Sequence, residues 1–382
     1  MSAPRLEIDL AKISANARAL VERLKERGIA VTGVTKAALG CPVIASALLD
    51  AGVSGIGDSR IENIERMRAA LGEGPRMTLL RSPMLSQVER VVRSADISFN
   101  TELAVVRALS DAARLTHRTH GVVLMVELGD LREGIMPEAL LATAREVAAM
   151  PNIVLKGIGT NLACLSGTAP DAVNMGTLSF LARSVEQALG LTLEIVSGGN
   201  SANIDWVFGQ EDHGRINDLR LGEAILLGRE TLTRKPIEGL YLDAFRLVAE
   251  VIEAKVKPSK PWGVIAQNAF GEAVPIADRG EISQVIVAVG RQDCDPAGLE
   301  CPAGVTILGA SSDHLVIETD GRVPLIGSEI AFGINYSALL RTMTSPFVEK
   351  AVIAGISRSE AAGDLRQARI LSEARLRSQA DT

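Results

Sequence analysis

The sequence is poor in the residues that mark disulfide-rich, metal-bound or nucleic-acid-binding proteins. Its four cysteines, Cys41, Cys164, Cys294 and Cys301, are scattered over 382 residues. That spacing excludes a disulfide framework, and Cys294 and Cys301, although close, read as free thiols. The Asp293-Cys294-Asp295 run has no histidine pattern to complete a ligand set, so no metal site is expected. Basic residues form no cluster and the net charge is −6, which argues against nucleic acid or an anionic membrane as partner. No apolar run reaches membrane-spanning length, and residues 1–10 carry neither n-region nor h-region, so a soluble cytoplasmic protein is expected. Low-complexity segments and short repeats are absent, and tyrosine occurs only at Tyr241 and Tyr336.

What is present is apolar mass. Hydrophobic residues make up 47% and charged residues 23% of the chain, a globular composition long enough for two or three domains. From residue 30 to about 230 a short apolar run alternates with an amphipathic stretch. The runs 31–36, 53–59, 77–82, 95–100, 121–128, 155–162, 193–199 and 219–225 read as strands. The stretches 41–51, 101–113, 136–149 and 172–189 read as helices. The strands are continuously rich in Val, Ile and Leu, as buried parallel strands are. Eight such units predict an α/β fold, a (β/α)8 TIM barrel over 10–235. Beyond Arg234-Lys235-Pro236 the runs 245–256, 284–289, 305–308, 315–318 and 329–332 are separated by Gly, Pro and Asp turns. They predict a C-terminal all-β domain over 236–350, which the opening strand 5–10 joins. Residues 351–382, rich in Ala, Arg, Glu and Ser, read as a tail.

One charged residue interrupts the first barrel strand: Lys36 in "VTGVTKAALG". A lysine at a strand tip either points into water or does amine chemistry, and in a TIM barrel that tip is where catalytic groups sit. Ser197-Gly198-Gly199-Asn200-Ser201 follows the seventh strand, and Arg220-Leu221-Gly222-Glu223 lies on the eighth. Barrels build phosphate sites from those two loops. A lysine facing a phosphate cradle suggests pyridoxal phosphate, whose aldehyde needs an amine. Arg220 only donates hydrogen bonds and keeps its proton. Set against the cofactor's ring nitrogen, it leaves that nitrogen unprotonated and favours return of a proton to Cα, hence racemisation over transamination.

The ordered set "VTGVTKA", "GDSRIENI", "GDLREG", "GTNLAC", "SGGNS", "RLGEA", "GRQDCDP" and "LGASSDH", with a β-domain, resembles the alanine racemase fold type of pyridoxal-phosphate enzymes over residues 5–350. The ornithine/lysine racemase branch is the nearer likeness. The resemblance implies that Lys36 holds the cofactor and serves as one base, and that Arg132 lies near its phenolic oxygen. It implies that Asn161 packs on the pyridine ring. Ser197, Gly199, Asn200, Ser201, Gly222 and the Glu223 amide would surround the phosphate. It further implies a homodimer in which Asp313, with Ser311 and Ser312, reaches the partner's substrate carboxylate.

The chain departs from that pattern. Phe270 stands where alanine racemases carry their second base, a tyrosine, and Asn268 stands where the ornithine branch has an acid. Met125 replaces a lysine near the phenolic oxygen, and Leu39 or Gly40 replaces a phosphate-binding tyrosine. The second proton carrier is left to His314, Asp313, Asp293, Asp295 or a water held by Asn268. A basic substrate would need a carboxylate, for which Asp293, Asp295 and Glu272 are candidates. The expected function is racemisation of α-amino acids, ornithine or lysine or a broader set. One alternative is a pyridoxal-phosphate-binding protein with little turnover, favoured by the missing tyrosine and opposed by the β-domain. Another is decarboxylation, which Arg220 opposes.

Overall fold

The computed structural model describes residues 2–209, 212–273, 276–320 and 323–353. Strand β1 (Arg5–Asp9) leads into α1 (Leu10–Lys25). Asp9 caps this helix by accepting from the Lys12 amide at 3.1 Å, and Ile13, Ala17, Leu20 and Leu24 form its buried stripe. Eight parallel strands follow: β2 (Ala30–Val34), β3 (Gly55–Asp58), β4 (Met77–Leu79), β5 (Ile97–Asn100), β6 (His120–Val126), β7 (Ile153–Thr160), β8 (Ile195–Ser197) and β9 (Asp218–Leu221). They pair in sequence order, and β9 closes on β2, which makes a TIM barrel. Helices α2 (Pro42–Asp50), α3 (Ile61–Leu71), α4 (Val88–Ser94), α5 (Leu103–Leu115), α6 (Pro137–Ala148), α7 (Ala172–Leu189), α8 (Ile204–Gly209) and α9 (Glu223–Leu227) alternate with the strands.

Several strands are shorter than their sequence suggests: 77–82 is strand only over Met77–Leu79, 193–199 only over Ile195–Ser197, and the last one ends early. The run 219–225 is strand only to Leu221, and Gly222 then opens α9. Ala224, Ile225, Leu226 and Leu227 are all buried. A run that is apolar on every side carries no period to separate strand from helix.

The second sheet is antiparallel, in the order β12 (Leu299–Glu300), β15 (Glu329–Ile334), β10 (Phe245–Pro258), β11 (Glu281–Val287), β14 (Leu315–Thr319), β13 (Val305–Ala310). Strand β1 pairs antiparallel with β10 and parallel with β16 (Glu349–Ile353). Between β15 and β16 lies α10 (Tyr336–Thr344), capped by the Asn335 side chain on the Ala338 amide at 3.0 Å. Strand β16 crosses the boundary drawn at residue 350, and the rest of the expected tail, 354–382, lies outside the described residues. Among the described residues no helix is long and apolar enough to cross a membrane.

The barrel holds two kinds of interior. Ile97, Phe99, Val123, Met125 and Ile195 form an apolar cluster separate from the main core. By strand alternation Ser98 and Asn100 then face the surrounding helices. There Ser98 Oγ lies 2.8 Å from His120 Nε2 and accepts from Asn100 Nδ2 at 2.9 Å. His120 is 1% exposed, and burial pulls its imidazole pKa down from 6.5 to about 4. The unfolded chain takes up this proton below about 6.5 and the folded one only near 4, so stability is lost as pH falls through that window. We expect His120→Gln to reduce the drop in unfolding free energy between pH 7 and pH 4.5 by roughly 2 kcal/mol. Urea titrations at the two pH values measure it.

Candidate active site

The C-terminal strand ends surround one cavity of about 690 Å³. Strand β2 ends at Val34, and Lys36 begins a single 3-10 turn, Lys36–Ala38. Its side chain is exposed to this cavity, with Nζ 5.8 Å from the centre of the Tyr336 ring. Tyr336 is the first residue of α10, so the β-domain forms part of the wall.

The loops after β8 and β9 meet on one side. Asn200 accepts from the Ala202 amide at 2.8 Å and donates to Asn161 Oδ1 at 3.1 Å. Asn203 holds the Asn200 amide at 3.0 Å and the Gly198 carbonyl at 3.0 Å. Gly199 has φ +146°, and a Cβ there would fall 2.0 Å from Asn203 Oδ1, so only glycine fits. Ser201 Oγ accepts from the Ala224 amide at 3.1 Å and so joins this loop to the start of α9. Ser201, Gly222 and Glu223 line the cavity at that junction. The Glu223 carboxyl is pushed up by burial, and its ion pair with Arg234 opposes the rise.

Arg220 comes up from inside the barrel. Residues 218 and 220 share one face of β9. Arg220 NH1 donates to Ser197 Oγ at 2.6 Å and NH2 to the Thr160 carbonyl at 2.7 Å, while its guanidinium lies 5.1 Å from the Phe99 ring centre. Ser197 in turn donates to Asp218 Oδ2 at 2.5 Å, and Thr32 donates to Oδ1 at 2.7 Å. Burial lowers the Arg220 pKa and Asp218 opposes this. The group stays a cation that can only donate.

Opposite, the loop after β6 is built on two buried carboxylates. Glu127 accepts from the amides of Gly129 (2.6 Å) and Leu131 (2.9 Å). Asp130 accepts from those of Cys164 (3.2 Å), Leu165 (3.0 Å) and Ser166 (3.0 Å), fastening the loops after β6 and β7 together. They present Arg132, paired with Glu133, and beside them Asn161 and Cys164.

Of the residues singled out from sequence, Lys36, Arg132, Asn161, Asn200, Ser201, Arg220, Gly222 and Glu223 all line this cavity. Ser197 and Gly199 do not: the Ser197 hydroxyl is spent on Arg220 and Asp218, and Gly199 shapes the loop backbone. Asn268, Asp313 and His314 lie on the β-domain outside the cavity of their own chain, bonded to Glu272 (2.9 Å), Gln292 (3.0 Å) and Ser311. Of the proposed side-chain acceptors, Asp293 is buried against Ser345, Asp295 bonds Ser337, and Glu272 pairs with Arg291. Sequence reading passed over Tyr336, Glu133, Arg81 and Arg234, which line the cavity. Glu133 sat inside a motif already noted, and Tyr336 followed the capping residue Asn335.

The set fits pyridoxal phosphate. It joins an accessible amine, a Gly- and Ser-lined junction at two chain turns, a fixed donor-only cation, and the Asn161 Nδ2, buried and without a partner. We expect Asp218→Asn, which leaves the Arg220 charge buried with less compensation, to cost about 3 kcal/mol in urea unfolding at neutral pH.

Residues 8–230 match the alanine racemase N-terminal domain family. The chain is 40% identical to a lysine racemase of Thermotoga maritima over 349 residues, 91% of this chain and 98% of that protein. It is 38% identical to an ornithine racemase of Acetoanaerobium sticklandii over 354 residues, 92% of this chain and 99% of that one. The fold is shared with an alanine racemase from Streptomyces lavendulae (TM-score 0.72, 19% identity, 93% and 99% of the two chains). It is also shared with a D-threonine aldolase from Filomicrobium marinum (TM-score 0.70, 16% identity, 90% and 88%).

Proposed function

This chain belongs to the alanine racemase family, and we propose that it is a pyridoxal-phosphate-dependent racemase of basic α-amino acids such as lysine and ornithine. The observation that carries this reading is the convergence of Lys36, Arg220 and the Ser201–Gly222 junction on one cavity. The named activities of the two relatives agree with it.

When bound, the cofactor supplies an aldehyde that captures an amine and a ring that withdraws electrons from Cα. Lys36 would hold it through Nζ, and as a free amine beside the bound substrate it would carry a proton on one face of Cα. Ser201, Gly222 and the start of α9 receive the phosphate. Arg220, with Ser197 and Thr160 occupying two of its nitrogens, would present the cofactor's ring nitrogen with a donor that cannot give up its proton, which would favour return of the proton to Cα.

The opposite face needs a second proton carrier, and Phe270 cannot be one. We assign that face to a partner subunit's β-domain, through Asp313 or His314. The segment 262–273 supports a homodimer, since Trp262 is 83% and Val264 fully exposed. For the substrate's side-chain ammonium we assign Glu133, a carboxylate on a rigid loop at the cavity wall. Both acids of the wall are ion-paired, Glu133 with Arg132 and Glu223 with Arg234, and Glu223 is set aside because it sits at the Ser201–Gly222 junction assigned to the phosphate.

Incubating single enantiomers and resolving the products by chiral chromatography tests the reaction. Lys36→Ala should lose the cofactor's bound absorbance and racemisation together, and racemisation that survives this change refutes the reading. Glu133→Gln should raise KM for lysine and ornithine about tenfold while leaving KM for a neutral isostere such as norleucine within twofold.

A further inference from the structure

The motif "GDSRIENI" (57–64) supplies Ser59 to the cavity wall, yet its most buried polar groups point elsewhere. Asp58 is fully buried. Its Oδ2 accepts from Thr35 Oγ1 at 2.8 Å, and its Oδ1 accepts from the Arg60 amide at 3.0 Å and from Asn63 Nδ2 at 3.0 Å. Thr35 is the residue before Lys36 and is itself fully buried. Its amide donates to the Gly57 carbonyl at 3.0 Å, and its own carbonyl receives the amides of Ala38 (2.8 Å) and Gly40 (3.2 Å).

The turn that carries Lys36 thus begins on Asp58. It ends against Asn63: Gly40 has φ +59°, and a Cβ there would meet Asn63 Cβ at 2.5 Å. Between these ends Leu39 also takes a left-handed conformation (φ +52°), and its carbonyl accepts from Arg66 NH1 at 2.6 Å. A leucine held there is strained by of order 1 kcal/mol or more, so the surroundings must fix the turn. Three residues of the β3–α3 segment, Asp58, Asn63 and Arg66, grip the six-residue stretch 35–40 at its start, middle and end. Of this stretch Lys36 and Ala37 line the cavity, and of the two only Lys36 brings a polar group to it.

We propose that Asp58, Asn63 and Arg66 are positioning residues for Lys36. Through Thr35, Leu39 and Gly40 they fix the backbone from which the amine reaches the cofactor. The role rests on the reading of Lys36 given above, and it assigns the Asp-x-x-x-x-Asn spacing to the site rather than to the α3 cap. A buried carboxylate saturated by three donors is rigid, and a long flexible lysine needs a rigid base to present its amine in one place.

The test compares the wild-type protein with Thr35→Val, which keeps shape and loses the hydroxyl, and Thr35→Ser, which keeps the hydroxyl. Pyridoxal phosphate is titrated by absorbance, trapped on Lys36 with borohydride and located by mass spectrometry. The induced circular dichroism of the bound chromophore is read at the same time. Thr35→Val should bind about tenfold more weakly and lose at least half the induced dichroism, at a melting temperature near that of the wild type. Thr35→Ser should stay within twofold. Should Thr35→Val fail to fold, the exposed Arg66→Met carries the test, with binding two- to fivefold weaker. Wild-type protein trapped at Lys36, with Thr35→Val or Arg66→Met matching it in affinity and dichroism, overturns the positioning role alone. No trapping on wild-type Lys36 overturns the reading of the cavity and this role with it.

Discussion

The barrel's thinnest ladder lies one strand before its closure. Strands β8 and β9 share one register pair, Ser197 with Asp218. Three backbone hydrogen bonds continue this short ladder, Asn217 to Val196, Gly198 to Asp218 and Arg220 to Gly199, and the side chain of Asp218 adds bonds to Ser197 on β8 and Thr32 on β2 from its place on β9. One buried carboxylate therefore ties three strands, and those strands lead to Lys36, the Ser201 loop and Arg220. The same carboxylate offsets the buried Arg220 charge. Packing and site geometry meet in this group, because a barrel that opened at this seam would also separate Lys36 from Ser201 and from Arg220.

Around that seam the remaining walls are stiffened by buried acids. Asp58 governs the turn of Lys36, Glu127 folds the loop of Arg132 and Glu133, and Asp130 sews that loop to the next. Each accepts backbone amides that a loop would otherwise leave without partners. The cavity's cations are thus presented by loops with little freedom, and the carboxylates that bind amides are distinct from Glu133, which stands in the cavity.

Much of this was legible beforehand. Barrel strands buried on both faces write themselves as continuous Val/Ile/Leu runs, and Lys36 stood out because a charge at such a run's end has few explanations. The glycines of "SGGNS" signalled a loop but not the division of labour within it: Ser197 turns inward to Arg220 while Ser201 faces the cavity. That distinction depends on strand parity at a three-residue strand, which sequence fixes only to within a residue or two. Tyr336 was out of reach for another reason. It arrives from the β-domain, more than a hundred residues after the last barrel strand, and no local pattern encodes which helix end leans over the mouth.

The second sheet has an unusual seam of its own. Strand β1, made first, is flanked by β10 and by β16, which is made among the last described residues. The barrel can gather its parallel strands one after another in chain order, whereas β1 keeps one edge bare until β16, more than three hundred residues later, reaches it. The β-domain is therefore the late-assembling half, and the half that contributes Tyr336 to the cavity wall. A pocket built this way is complete only after α10 has packed over the barrel mouth.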